Sequence, residues 1–67
     1  MNLIDYEEKL VRIKTINNNI FEGVVTDYIY PEDDENILEM IILDVDGDGE
    51  KFIGFYEKDI DSIEIIE

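Results

Sequence analysis

The sequence contains no cysteine and no histidine, and only five lysine and arginine residues stand against 19 aspartate and glutamate residues. The chain therefore lacks thiols for disulfides or nucleophilic catalysis, imidazoles for general base catalysis, and the usual ligands of zinc. Carboxylates, four tyrosines and a single serine, Ser62, are the remaining candidate catalytic groups. We expect a protein that is not an enzyme and that needs no cofactor.

Long hydrophobic runs are missing as well. No apolar stretch approaches the roughly 18 residues of a membrane span. Residues 1–8 are acidic where a secretory signal carries a basic region. The expected location is the cytoplasm, without membrane attachment.

Apolar residues make up 45% of the chain, which is enough for a folded core. A domain of this size buries only about 60% of its unfolded surface and usually needs disulfides, a metal or association to be stable. Because cysteine is absent, we predict a single domain over residues 1–67 that forms homo-oligomers.

The negative charge is concentrated after Pro31. Residues 1–30 contain five acids and three bases, and residues 31–67 contain fourteen acids and two bases, so the net charges are −2 and −12. A negative field of this kind repels phosphate backbones, because nucleic-acid binding depends on Lys and Arg.

The pattern of apolar residues changes from helical to alternating along the chain. Leu3, Tyr6 and Leu10 recur at helical spacing behind Asn2, a suitable N-cap, which predicts a helix over residues 2–9. The rest alternates with a period of two and is interrupted by Asn, Pro and Gly turns. The predicted strands cover residues 10–16, 20–30, 37–45, 51–56 and 60–66. This order predicts a mainly β fold, in which a short N-terminal helix precedes a five-stranded, strongly bent barrel.

Two strands carry more specific signals. The second places Phe21, Gly23, Val25 and Ile29 on one face, and a glycine inside a strand often marks a bend or a close approach of two backbones. The third is almost continuously apolar, which predicts burial on both faces.

The order of elements resembles that of the Sm-like (LSm) family, and the resemblance covers nearly the whole chain. It rests on residues 9–13 (Lys-Leu-Val-Arg-Ile), residues 21–25 (Phe-Glu-Gly-Val-Val) and residues 59–66, in which Ile60 and Ile63 match the family's closing segment. The resemblance implies an open Sm-like or SH3-like barrel and a ring in which the fourth strand of one subunit pairs with the fifth strand of the next. Such pairing hides the exposed edges of a sheet. The expected interface residues are Phe52, Ile53, Phe55, Ile63 and Ile65.

Many members of this family bind single-stranded RNA, but the residues that would do so are replaced here. The family's Asp-x-x-Met-Asn stretch corresponds to residues 29–33, and the place of its Arg-Gly pair is held by residues 56–57 or 57–58. An insertion would let Asn36 substitute for the Asn, but nothing restores the Arg. Acidic residues stand where a phosphate would approach, so the charge disfavours RNA binding. The candidate contacts to a nucleic acid or another ligand are Tyr28, Tyr30, Asn36 and Lys58.

The aspartates at positions 44, 46 and 48 have the spacing of an EF-hand calcium loop, Asp-x-Asp-x-Asp-Gly. The later positions do not fit, because Phe55 stands where the bidentate Glu belongs and neither flank is helical. A β-hairpin turn in which Asp and Gly supply the geometry is the favoured interpretation, with millimolar calcium binding at Asp44, Asp46 and Asp48 as the alternative.

Three other groups of residues allow two interpretations each. The acidic segment 32–35 is a recognition element for a basic surface or a solvated loop. The aromatic residues are a stacking platform for bases or, as we favour, packing groups of the core and the subunit interface. They are Tyr28, Tyr30, Phe52, Phe55 and Tyr56. The only candidate basic patch has two interpretations. It could bind phosphate, or, as we favour, it pairs with the nearby acids Asp5, Glu7 and Glu8 or with the acids of another subunit. It consists of Lys9, Arg12 and Lys14.

Three functional hypotheses follow. The first is a ring-forming protein-interaction module whose acidic surface binds a basic protein, in one version as an inhibitor from a phage or mobile element that mimics nucleic acid. The second is single-stranded RNA binding. The third is an oligomer that sequesters a small ligand such as a nucleotide. The charge favours the first. Its expected partner-binding residues are Glu32, Asp33, Asp34, Glu35 and Glu57.

Overall fold

The computed structural model describes residues 2–30, 39–45, 47 and 49–66. These residues form a mainly β structure. Five strands make one antiparallel sheet in the order β4-β3-β2-β1-β5. The strands are β1 (Leu10–Thr15), β2 (Ile20–Ile29), β3 (Met40–Asp44), β4 (Phe52–Tyr56) and β5 (Ile60–Ile65), with 3₁₀ turns at Leu3–Tyr6 and Glu57–Asp59.

The strand prediction is confirmed in number and order, but each strand is shorter than predicted. β3 runs from Met40 to Asp44 inside the predicted range 37–45, and Glu39 and Val45 on either side are not part of the strand. Residues 37 and 38 lie outside the described part of the chain.

The helix predicted over residues 2–9 is wrong, because the chain forms only a 3₁₀ turn at Leu3–Tyr6. The side chain of Asn2 makes no capping hydrogen bond, and Glu8 adopts a positive φ of 66°. The Glu8 amide donates to the carbonyl of Val25 at 2.8 Å and so leaves the helical direction. So short a segment gains too few helical hydrogen bonds to offset the cost of helix nucleation. Pairing with the sheet gives the same backbone groups hydrogen-bond partners without that cost.

The face prediction for β2 is also wrong at one residue, because the strand contains a bulge. The register against β3 shifts between Val25 and Asp27, so Tyr28 rather than Ile29 returns to the face of Val25. Tyr28 packs against the core, and Ile29 lies on the opposite face. A bulge inserts one residue and therefore reverses the alternation beyond it.

The core lies on one face of the sheet, which we call the inner face. Every strand contributes to it, and the 3₁₀ turn adds one leucine. Its buried residues are Leu3, Val11, Ile13, Val25, Ile41, Leu43, Phe55 and Ile60. Because β4 and β5 are at opposite ends of the strand order yet share this core, the sheet must curve around it. The burial predicted for both faces of β3 applies fully to the inner face alone, since Met40 and Ile42 are only half-buried.

The backbones of β2 and β3 approach closely at Gly23, which is one of the two features that a glycine inside a strand indicates. A Cβ atom at this position would collide with the Asp44 carbonyl group and lie 3.0 Å from the Cα of Val45. These are backbone atoms, which cannot swing aside. A residue larger than glycine would push the end of β3 away from β2.

We expect Gly23→Ala to destabilise the fold by about 1–3 kcal/mol, the usual cost of overpacking. Gly54→Ala is the matched control, because the Cβ added there would meet the mobile end of the Met40 side chain instead of backbone. Urea denaturation followed by circular dichroism measures both variants. Equal stability of Gly23→Ala and Gly54→Ala would contradict this account of Gly23.

Candidate binding surfaces

Two residues of the predicted basic patch are paired with acids inside the same chain. Arg12 bridges the strands on either side of β1, with Nε 2.7 Å from a carboxylate oxygen of Glu22 and Nη1 2.9 Å from one of Glu64. Lys14 Nζ lies 3.8 Å from the Asp61 carboxylate. The expected pairing with Asp5, Glu7 and Glu8 is wrong for Arg12 and Lys14, because β1 carries both side chains on the outer face, where β2 and β5 supply the acids.

The two glutamates stabilise the charged form of Arg12. The hydrogen bond to Glu22, and after it the hydrogen bond to Glu64, raises the pKa of the Arg12 guanidinium. A phosphate group would have to compete with two carboxylates that already neutralise this cation.

Asp44 supports the turn between β3 and β4. It is buried, and its two carboxylate oxygens accept hydrogen bonds from the amides of Gly47 and Gly49, each at 3.0 Å. Both glycines have positive φ, 72° and 76°, which glycine adopts without steric cost. The carboxylate oxygens of Asp44 bind backbone amides, and strands rather than helices flank the turn. Asp44 therefore fits the hairpin interpretation better than a calcium loop. Asp46 and Asp48 lie outside the described residues.

The predicted aromatic cluster is divided between different parts of the sheet. Phe55 lies in the core, with its ring centroid 5.2 Å from that of Phe21. Tyr28 is half-buried on the inner face, and its ring meets that of Tyr30 edge-on at 4.9 Å. Burial is the main cause that raises the pKa of Tyr28, and the nearby Glu39 carboxylate raises it further. The remaining two aromatic residues are exposed on the outer face of β4, so the five rings form no single stacking platform.

The five predicted interface residues fall into two environments. Phe55 is in the core, and Ile53 and Ile63 are half-buried beside it. Phe52 and Ile65 are 51% and 47% exposed and lie on the two outermost strands of the sheet.

The remaining predicted contacts are divided between described and undescribed residues. Residues 32–35 and Asn36 are outside the described part of the chain. Glu57 and Lys58 belong to the second 3₁₀ turn, where the Glu57 amide donates to the carbonyl of Glu39 at 3.0 Å.

Glu39 is a structural residue that the sequence reasoning missed. Its carboxylate accepts a 2.7 Å hydrogen bond from the amide of Leu3 and so fastens the first 3₁₀ turn to the sheet. A single acid beside the apolar run of the third strand is a signal that was available in the sequence.

Among the described residues, no group of three or more acidic side chains is placed to hold a metal ion, and no concave pocket is present. Within the same ranges, no helix has the length and apolar character needed to cross a membrane. Comparison with protein families, with curated proteins and with solved structures finds no match to this chain.

We expect Asp44→Ala to destabilise the fold by about 1 kcal/mol, because the two glycine amides lose their acceptors but remain accessible to water. Asp44→Asn keeps one acceptor oxygen and should lose less. Thermal unfolding of the three proteins with and without calcium measures both effects. Stabilisation of the unmutated protein by micromolar calcium would contradict the hairpin interpretation.

Proposed function

We propose that this protein is a non-catalytic, Sm-like binding module that forms rings through β4 and β5 and binds a basic protein through its acidic surface. In this proposal the curved sheet is an open barrel of the Sm-like type. The observation that carries the proposal is the chemistry of the two outermost strands, because both expose large apolar side chains at the edges of the sheet, although β5 also carries the acids Asp61 and Glu64.

The outer edge of β4 can accept another strand. The Val45 amide donates to the Lys51 carbonyl, and the Glu57 amide donates to the Glu39 carbonyl, which sets the alternation of hydrogen bonds between β3 and β4. By that alternation, the backbone groups of Phe52, Gly54 and Tyr56 point away from β3. No charged residue interrupts this strand, although charges commonly protect an edge from pairing.

The outer edge of β5 can also accept another strand. The amide of Ile66 donates to the carbonyl of Leu10, so the alternation directs the backbone of Glu64 and Ser62 to β1. The backbone groups of Ile63 and Ile65 point away from β1 and are available to a further strand.

Antiparallel pairing of β4 with β5 of a second copy brings the exposed apolar groups together. Directly opposite residues of paired strands have their side chains on the same face of the sheet. Phe52 and Tyr56, which are 51% and 43% exposed, would therefore lie beside Ile63 and Ile65 of the neighbouring copy. The contact is between two unlike edges, so its repetition generates a ring when the rotation between copies closes.

The acidic surface supports a basic protein as the partner in preference to RNA. The net charge is −14, and Arg12 and Lys14 are already paired with acids. A surface of this charge attracts basic proteins over a distance and repels phosphate. A protein that mimics nucleic acid would have this property, which is the basis for proposing an inhibitor of a nucleic-acid-binding protein.

We expect Phe52→Ser and Ile65→Ser each to weaken self-association by about tenfold or more, as central apolar contacts do in other interfaces. Ile20→Ser is the matched control, because Ile20 is 60% exposed but lies on β2, away from both edges. Sedimentation at about 150 mM salt, where repulsion between copies is largely screened, measures the oligomer size.

A mixture of the two variants separates a ring from a symmetric dimer. Phe52→Ser retains an intact β5 and Ile65→Ser an intact β4, so the mixture should form one joint and sediment as a dimer. If association used β4 of both copies, Ile65→Ser would associate normally. A monomeric unmutated protein at micromolar concentration would overturn the ring.

Partner charge is tested by affinity capture from the native host, with mass spectrometry of both proteins and nucleic acids. We expect basic proteins that are released as the salt concentration rises, and no oligo-RNA binding at about 150 mM salt. Tight RNA binding under those conditions would contradict the acidic-partner proposal and favour the RNA alternative.

A further inference from the structure

We infer that the outer face of β2, β3 and β4 carries a docking site for a basic protein segment with apolar anchor residues. This inference rests on the proposed binding of a basic protein and assigns that partner a place on the sheet.

An apolar row crosses three neighbouring strands on this face. Ile29 of β2 is directly opposite Met40 of β3, and Met40 is directly opposite Tyr56 of β4. Ile29 and Tyr56 are 40% and 43% exposed, and Met40 is half-buried. We call these three residues the outer row. The bulge in β2 is what turns Ile29 to this side.

The centre of the outer row is adaptable. The end of the Met40 side chain lies over Gly54, where a Cβ atom would come within 2.6 Å of it. Methionine is unbranched and polarisable, and it repacks readily against different partners. Movement of Met40 would uncover the backbone at Gly54 and deepen the surface for an anchor side chain.

The charges around the outer row determine the partner. β2, β3 and β4 contain no lysine or arginine, and exposed Asp27 is next to the row on β2. A second copy of this chain would add acidic groups to a face that has no base to pair with them, whereas a segment with lysine or arginine between its apolar residues is complementary.

Docking and self-association share Tyr56, because this residue belongs to the outer row and also to the proposed joint between copies, whereas Ile29 and Met40 lie away from both sheet edges. Tyr56 lies where the two surfaces meet, so substitutions at Ile29 and Met40 test docking alone. Ile20→Ser is the matched control, because it removes a 60% exposed isoleucine from the same face of β2 outside the row.

Three synthetic peptides serve as probes, one alternating lysine with leucine, one alternating lysine with serine, and one alternating glutamate with leucine. Fluorescence anisotropy at about 150 mM salt measures their binding to the full chain. We expect the lysine–leucine peptide to bind about tenfold tighter than the lysine–serine peptide, and the glutamate–leucine peptide not to bind. Ile29→Ser and Met40→Thr should each weaken lysine–leucine binding by about fivefold, with Ile20→Ser unchanged.

Thermal unfolding confirms that each variant is folded before it is titrated. Row variants that bind the lysine–leucine peptide as the unmutated protein does, while salt still weakens binding, would overturn the docking site and leave the acidic-partner proposal standing. Equal binding of the glutamate–leucine peptide, or binding that salt does not affect, would overturn both. The ring is judged separately by sedimentation.

Discussion

The close contact between the backbones of Gly23 and Asp44 is the constraint on which the arrangement of the sheet depends. It allows the end of β3 to lie against β2 where any side chain would hold the two strands apart. Asp44 can then place both carboxylate oxygens on the turn amides, and that turn returns the chain as β4. The absence of a Cβ atom at Gly23 on β2 therefore influences where the edge of β4 lies. It also influences the side on which Phe52 and Tyr56 are exposed.

The sequence predicts the number and order of the strands because a period of two, interrupted by turn residues, is a local signal. It also indicates that Gly23 marks a bend or a close approach of two backbones. The local pattern fails where tertiary contacts compete with it. The first segment has a helical spacing, but Glu8 bonds to Val25 instead of continuing a helix, and the bulge after Val25 has no signature in the residues themselves. That bulge reverses Ile29 and Tyr28, so the outer row could be recognised only from the paired strands.

Charge and apolar surface occupy different parts of this molecule, and the two proposed modes of association depend on that difference. The bases of β1 are used within the chain, which leaves an acidic exterior for long-range attraction of a basic partner. Short-range contact depends on apolar groups, and these are exposed at the sheet edges and along the outer row. In the proposed function, charge determines which partner approaches and apolar contact determines where it stays, so copies of the chain and a protein of opposite charge would use largely different parts of the fold.

The pairing of β1 with β5 also bears on how the chain folds. Arg12 and Glu64 are 52 residues apart, so one side of β1 stays uncovered until the far end of the sheet has formed. Contacts this distant in sequence form late, since their loop must close before they stabilise anything. An uncovered strand with Val11 and Ile13 invites pairing with the wrong chain, and positive charge on an edge opposes that. In a chain whose β5 has not yet docked, the charges of Arg12 and Lys14 would oppose such pairing, and the carboxylates of β5 would then neutralise them in the folded sheet.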